Sequence, residues 1–371
     1  VINLFQPSVG REELSAVEEV FASSWLGAGE RVAQFERAFA AYVGSDASSF
    51  QAIASCTEGL FQAVAALGLG PGDEVIIPSI SFIGAAHAVR ANGAHVALCD
   101  VNPFTLNPDI EDIERAVTPR ARAVMILHYG GASGPVAEIA ALAASRSLAL
   151  IEDAACALGT FVDGRACGTF GDVGVWSFDA MKVLTTADGG MVWCKDPAVA
   201  ARIHSAIRLG VNSSGFSRRS SSNGWWEIDP PTMGRRATMN DVAGAIGLVQ
   251  LERLADFLRR RREIATAYDA AFRDVAWLTC PEPRSPTSAH TFYWLQTSPE
   301  VRNRLATYLL DREIYTNFRY WPLHMTAMYG SPESFPGADR AAESTLLLPQ
   351  HQSLSDIDVA HVIDSVRAFR P

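Results

Sequence analysis

The chain has no long apolar run. No hydrophobic stretch approaches the roughly 20 residues that a membrane-spanning helix needs, and no secretory leader pattern is present. Its six cysteines, at 56, 99, 156, 167, 194 and 280, are scattered, without a C-x-x-C pair or any metal-ligand spacing. That excludes a zinc module and a disulfide framework as organising devices, and no metal is expected. Positive charge is also short: 31 Lys and Arg stand against 41 Asp and Glu, a net charge of −10. A nucleic-acid binder normally carries a basic face. The one basic cluster, RRRR at 259–262, lies in a helical pattern and reads as a solvated face. Internal repeats and low-complexity tracts are missing. The expectation is a cytoplasmic protein with neither a nucleic-acid nor a membrane partner.

What is present fits an ordinary globular chain. It has 371 residues, 48% hydrophobic and 19% charged, enough for two domains. Continuous apolar runs rich in β-branched residues read as strands: EVIIPS (74–79), HVALCD (95–100), AVMILHY (123–129), LALIED (148–153), VGVWSF (173–178) and MVWC (191–194). Helix-length segments separate the earlier ones. This alternation predicts an α/β fold whose mostly parallel sheet is covered on both faces. Ligands in such folds sit at the carboxyl ends of the strands, and Asp100, His128, Asp153 and Ser177 fall at such ends. A helical pattern runs from about Asn240 to Ala270. The expected division is a large unit, 1–250, and a small C-terminal unit, 251–371, with the N-terminal segment packing on the small one. The polar stretch 212–231, with Trp225 and Trp226, reads as a long loop near the site.

Three stretches carry chemistry. In ASCTEGLFQAVAAL (54–67) a Ser-Cys-Thr turn feeds an amphipathic helix, whose unpaired first N–H groups suit a phosphate or need only a plain cap. In LIEDAACALGT (150–160) Asp153 ends a buried strand, where a carboxylate needs a cationic partner or strong donors. In SFDAMKVLTTADGG (177–190) a single lysine, Lys182, follows an apolar strand among small and hydroxyl residues. A solvated lysine needs no such setting, whereas a Schiff-base lysine must be partly desolvated. Each signal has a bland reading alone. In this order, with the serine–lysine pair about 25–30 residues beyond the aspartate, they meet the needs of pyridoxal 5′-phosphate (PLP): an amine, a carboxylate for the ring nitrogen and donors for the phosphate.

With these residues in place, the chain resembles the DegT/StrS-type sugar aminotransferases. The resemblance rests on LGLGPGDEVIIPSISFIGAAHAV, CDVNPFTLNPD, VMILHYGG, IEDAACALGT, GTFGDVGVWSFDAMKVLTTADGGMV, MGRRATMNDVAGAIGLVQL, NFRYWPLH and LLLPQHQSLSDID. It implies an aspartate-aminotransferase-like fold: a central, mostly parallel seven-stranded sheet flanked by helices, and a smaller C-terminal α/β domain. It implies PLP, with pyridoxamine 5′-phosphate as the alternate form. Lys182 matches the Schiff-base lysine and Asp153 the ring-nitrogen partner. Phe82 matches the ring-stacking aromatic, Thr57 and Glu58 the phosphate-holding amides, and Ser177 the phosphate-holding hydroxyl. The Glu58 side chain must then turn away.

Three positions depart from the family pattern. Cys156 replaces the usual Gln or His near the ring hydroxyl. Arg236 replaces an Asn that reaches the partner subunit's phosphate, and Asp179 replaces a His or Tyr before the lysine. Tyr320, His324 and Trp225 are the candidates on the substrate side, with Asp179. The resemblance also implies a homodimer with its site between subunits, and L-glutamate as donor. The segment around Lys182 is closer to relatives acting at carbon 4. The expected reaction therefore turns dTDP-4-keto-6-deoxyglucose into the 4-amino-4,6-dideoxy sugar, for antibiotic glycosylation or surface polysaccharide. The alternatives are a 3-keto sugar or inosose aminotransferase and a non-catalytic PLP-binding regulator.

Overall fold

The computed structural model describes residues 1–211, 226, 228, 230–282 and 285–371. A seven-stranded sheet forms its centre. The strands are β1 (Phe50–Ile53), β2 (Glu74–Pro78), β3 (His95–Cys99), β4 (Ala121–Leu127) and β5 (Ala149–Asp153), then β8 (Val173–Ser177) and β9 (Gly190–Cys194). Between β5 and β8 lies a short hairpin, β6 (Phe161–Val162) with β7 (Arg165–Ala166). The spatial order is β1-β9-β8-β5-β4-β2-β3. Pairs β2–β3, β2–β4, β4–β5 and β5–β8 are parallel, and β8–β9 and β1–β9 antiparallel. Only β9 therefore runs against the rest. All six strands read from the sequence are present. The seventh, β1, went unread because four residues, FQAI, carry too little periodicity to stand out.

Apolar residues alternate between the two faces of the sheet. Val75, Ile77, Leu127, Ile151, Val175 and Val192 enter one core cluster with Leu60, Ala63 and Val64 of the helix Cys56–Ala66. Ile76, Ile126, Leu150, Trp176 and Met191 enter another on the opposite face with Phe35 and Phe39. Two buried layers explain why these strands read as continuous apolar runs. The helix Cys56–Ala66 lies close on the sheet, since a Cβ on Gly59 would sit 2.6 Å from Val175 Cγ1. Its amino end is thereby pinned against the start of β9, where a Cβ on Gly190 would lie 2.8 Å from the Cys56 amide nitrogen.

A third cluster joins Ile264, Tyr268 and Phe272 to Tyr293 and Leu295 of β10 (Tyr293–Gln296) and Leu346 and Leu348 of β11 (Thr345–Leu348). The amino terminus pairs with this part: the Ile2 amide donates to Glu313 O (2.6 Å), and the Tyr315 amide donates to Ile2 O (3.0 Å).

Two sequence expectations change. The helical pattern from 240 to 270 is two helices, Asp241–Glu252 and Leu254–Phe272, broken at Arg253. The break lets the first pack on the helices Arg11–Ala22 and Glu30–Val43 while the second enters the C-terminal cluster. The RRRR cluster is not wholly a solvated face, because Arg261 is 1% exposed. The loop residues 212–225, Trp225 included, lie outside the described residues. Trp226 is exposed.

Candidate active site

Strand register gathers the site. Asp153 on β5 pairs with Val175 on β8, so their side chains leave the same face. Ser177 follows Val175 by two and shares that face, as does the helix Cys56–Ala66. The parallel strands thus bring Asp153, Ser177 and a helix amino terminus to one edge of one face. Glu152 and His128 point the other way. Buried His128 approaches Glu152 Oε2 at 2.9 Å, and both Glu152 oxygens accept backbone N–H groups from Gly168 and Gly171, each at 2.7 Å. Asp100 caps the helix Pro336–Ser344 through the Gly337 and Ala338 amides, both at 2.8 Å. Of the four polar strand ends read from the sequence, these two hold the framework.

The turn after β8 delivers Lys182. Asp179 Oδ1 accepts the Met181 amide (2.9 Å), and Asp179 O accepts the Lys182 amide (2.9 Å), an Asx-type turn. Asp179 thus shapes the segment that carries the lysine. Replacing it with Ala is expected to lower kcat on the order of 10-fold, because small displacements of a reacting group are costly. The melting temperature should hardly change. Steady-state kinetics beside thermal melts check this, and an unchanged kcat would remove the role.

Lys182 Nζ points inward and donates to Cys156 Sγ at 3.7 Å. Burial works against its charge, while Cys156, Tyr320, Cys56 and Asp153 around it raise its pKa in their anionic forms, of which the two thiolates and the phenolate form only at alkaline pH. Asp153, 2% exposed, is pushed up by burial; the Ala155 amide (3.1 Å), Lys182 and His128 pull it back. Burial likewise raises the Cys156 and Cys56 thiols, so both are protonated near neutral pH. Cys56 was missed as a neighbour of the lysine. The Ser-Cys-Thr turn was visible, but not that its middle residue faces Lys182.

The remaining expected residues divide. Phe82 is half exposed at the amino end of the helix Ile83–Ala91, and its ring meets Tyr320 edge-on at 5.7 Å. Tyr320 also approaches Phe292 at 6.3 Å, and it is close enough to Cys156 to act on the thiol electrostatically. Tyr320 is therefore within the site. The Glu58 side chain does turn away, taking Gln62 Nε2 (2.7 Å) and Arg235 Nη1 (3.4 Å). The Glu58 amide is already capped by Ser55 Oγ at 3.2 Å, leaving Thr57 as the uncapped amide of the pair among the described residues. Arg236 is exposed, bridged to Arg208 at the backbone. His324 is spent on structure: Nδ1 meets Ser79 Oγ, Nε2 meets Asp339 Oδ1 at 2.8 Å, and its ring lies on Phe335. No ring nitrogen of His324 is left for a ligand. Among the described residues no cluster of three or more His, Cys, Asp or Glu could hold a metal, and no helix is long and apolar enough to cross a membrane.

An inward-pointing amine near a buried carboxylate that forms no ion pair among the described residues, with a hydroxyl and a helix start on the same face, fits a flat, phosphorylated, cationic ring. Residues 7–367 match one family across almost the whole length. The chain belongs to the DegT/DnrJ/EryC1/StrS aminotransferase family. It is a PLP-dependent aminotransferase. It is 48% identical, over 98% of its own length and 95% of the relative's, to the dTDP-4-dehydro-2,3,6-trideoxy-D-glucose 4-aminotransferase of Saccharopolyspora spinosa. Among solved structures it resembles the aminotransferase TlmJ from Streptoalloteichus hindustanus, with a TM-score of 0.95 and 51% identity, covering 99% of this chain and 98% of that one. The sugar aminotransferase CalS13 from Micromonospora echinospora matches with a TM-score of 0.90 at 28% identity, covering 100% of both chains. These aminotransferases share the fold, and the seven-stranded sheet implied by the family resemblance is the one observed.

Proposed function

We propose that this aminotransferase moves the amino group of L-glutamate to carbon 4 of a dTDP-linked 4-keto-6-deoxyhexose. It works as a homodimer, each subunit divided into units 1–250 and 251–371. The observation that carries the reading is the Lys182 amine in the turn after β8, pointing inward to the Cys156 thiol that lies three residues beyond Asp153. The name of the Saccharopolyspora relative supports carbon 4 and a 6-deoxy sugar.

PLP, when bound, would supply an acceptor for the donor's amino group and an electron sink for the reacting carbon. Lys182 shuttles the proton at that carbon as base and then acid. Asp153 holds the ring nitrogen protonated. Thr57 and Ser177 hold the phosphate, while Phe82 covers the ring. Exposed Arg236 supplies a phosphate contact to a second subunit. Tyr320, Phe82 and Phe292 give the sugar side an apolar wall, which suits the methyl group of a 6-deoxy sugar.

The test is the visible spectrum of the protein with PLP, before and after L-glutamate, followed by a panel of keto-sugar nucleotides. A band that glutamate shifts to the pyridoxamine form is expected, with amination of dTDP-4-keto-6-deoxyglucose or its 2,3-dideoxy analogue. A band untouched by glutamate would overturn the donor, and turnover confined to 3-keto sugars or inososes would overturn the carbon.

A further inference from the structure

The buried member of the RRRR cluster has a consequence for the lysine. Arg259, Arg260 and Arg262 face outward on the helix Leu254–Phe272, pairing with Asp256, Glu263, Asp356 and the Pro286 carbonyl. Arg261 turns inward to 1% exposure. Among the described residues it enters no ion pair. Its partners are Gln352 Oε1 at 2.9 Å (from Nε), Gln350 O at 2.9 Å and Thr291 O at 3.3 Å (both from Nη1). A guanidinium buried against neutral acceptors costs stability that an apolar side chain of similar size would not, so its position calls for a role.

Two of these three partners lead to the site in one further hydrogen bond. Gln352 Nε2 donates to the carbonyl of Val183, the residue after Lys182, at 3.2 Å. Thr291 Oγ1 donates to the carbonyl of Cys156, whose thiol receives the lysine, at 2.6 Å. Gln350 locks the base of the fork by donating back to Arg261 O (2.8 Å) and to His290 O (3.2 Å). One planar cation thus ties together the Lys182 loop and the Cys156 turn from behind, using residues far away in sequence.

We infer that Arg261 is a positioning residue. Its fork fixes Lys182 and Cys156 relative to each other through Gln352 and Thr291, holding the amine inward before cofactor or substrate arrives. The inference rests on Lys182 being the reacting lysine. The planar geometry does this work, since a lysine at 261 has no rigid fork to serve both arms.

The test uses the cofactor-free protein. Lys182 and Lys195 are the only lysines in the chain, and Lys195 is exposed, so it serves as an internal reference. Wild type, Gln352→Ala, Thr291→Val, Arg261→Met and Arg261→Lys are acetylated with limiting acetic anhydride, and the Lys182/Lys195 ratio is read by peptide mass spectrometry. The expected result is a ratio raised about fivefold in Gln352→Ala and Thr291→Val, through local opening without global unfolding. Arg261→Met should give at least that rise, with no rescue by Arg261→Lys. A ratio within about twofold of wild type in folded Gln352→Ala and Thr291→Val, with only a lowered melting temperature, would reduce Arg261 to a structural residue. These two variants decide the matter even where Arg261→Met fails to fold. Because no cofactor is added, the outcome stands apart from the spectral test of transamination.

Discussion

Lys182→Ala should lose turnover on the order of 10⁴-fold or more, because in the proposed reaction one amine serves as both cofactor anchor and proton carrier. It should also lose the visible band that wild type shows with PLP. The loss will not come from unfolding: the side chain lies in a turn already held by Asp179, by the Thr186 amide on Phe178 O (2.9 Å) and by Gln352 on Val183 O. Circular dichroism should therefore match wild type. Borohydride reduction of the wild-type complex should fix the cofactor on the peptide containing Lys182, and with only one other lysine in the chain, Lys195, the assignment is unambiguous. A band of equal strength in the variant, or label on Lys195, would show that the amine acts elsewhere.

Asp153→Asn should lower kcat/KM on the order of 10³-fold, the scale of losing one preorganised electrostatic partner in a buried site. An amide keeps the shape and can still accept from the Ala155 amide, but it cannot hold a ring proton. Stability in the absence of cofactor should move the other way. Burial raises the Asp153 pKa above its unfolded value. The folded state therefore binds this proton more tightly, and its contribution is fully present below the normal aspartate pKa. That contribution is lost as pH rises through the folded pKa. The Asn variant lacks this decline. Its melting temperature, relative to wild type, should climb from acid pH toward neutrality. Adding PLP should then raise the melting temperature of wild type more than that of the variant, since the ring cation compensates the carboxylate only in wild type. Melts across pH with and without PLP test this. Parallel wild-type and variant curves would mean that Asp153 is not charged against the cofactor.

The substrate-side residues show how local patterns divide from tertiary roles. His324 and Tyr320 stand four positions apart in NFRYWPLH and looked equivalent. Tyr320 reaches the Cys156 thiol, whereas His324 joins Ser79 to Asp339 and braces the end of β2. Asp179 looked like a group for the ring or the substrate, and its oxygens instead build the turn beneath Lys182. For His324 the partner was set by a distant chain segment, Ser79, whereas Asp179 turned to the amides two and three residues after it, a local choice that residue type alone does not fix.

The sequence alone determined the strands of the main sheet other than β1 and the α/β class, and it singled out Lys182, Asp153 and Ser177 as the candidate reactive set. Those readings needed only residue chemistry and short-range periodicity: a strand buried on both faces must be apolar throughout, and a lysine or aspartate at its end is conspicuous there. The tertiary structure decided which of these residues meet. Register between β5 and β8 placed Asp153 and Ser177 on one face and sent Glu152 to the other. Packing across the chain buried one arginine of four and carried its hydrogen bonds to Cys156 and Val183, through contacts 135 and 169 residues apart. The physical reason is range. Side-chain period and burial are local consequences of backbone geometry, while the partner of a buried polar group depends on which distant segment packs against it.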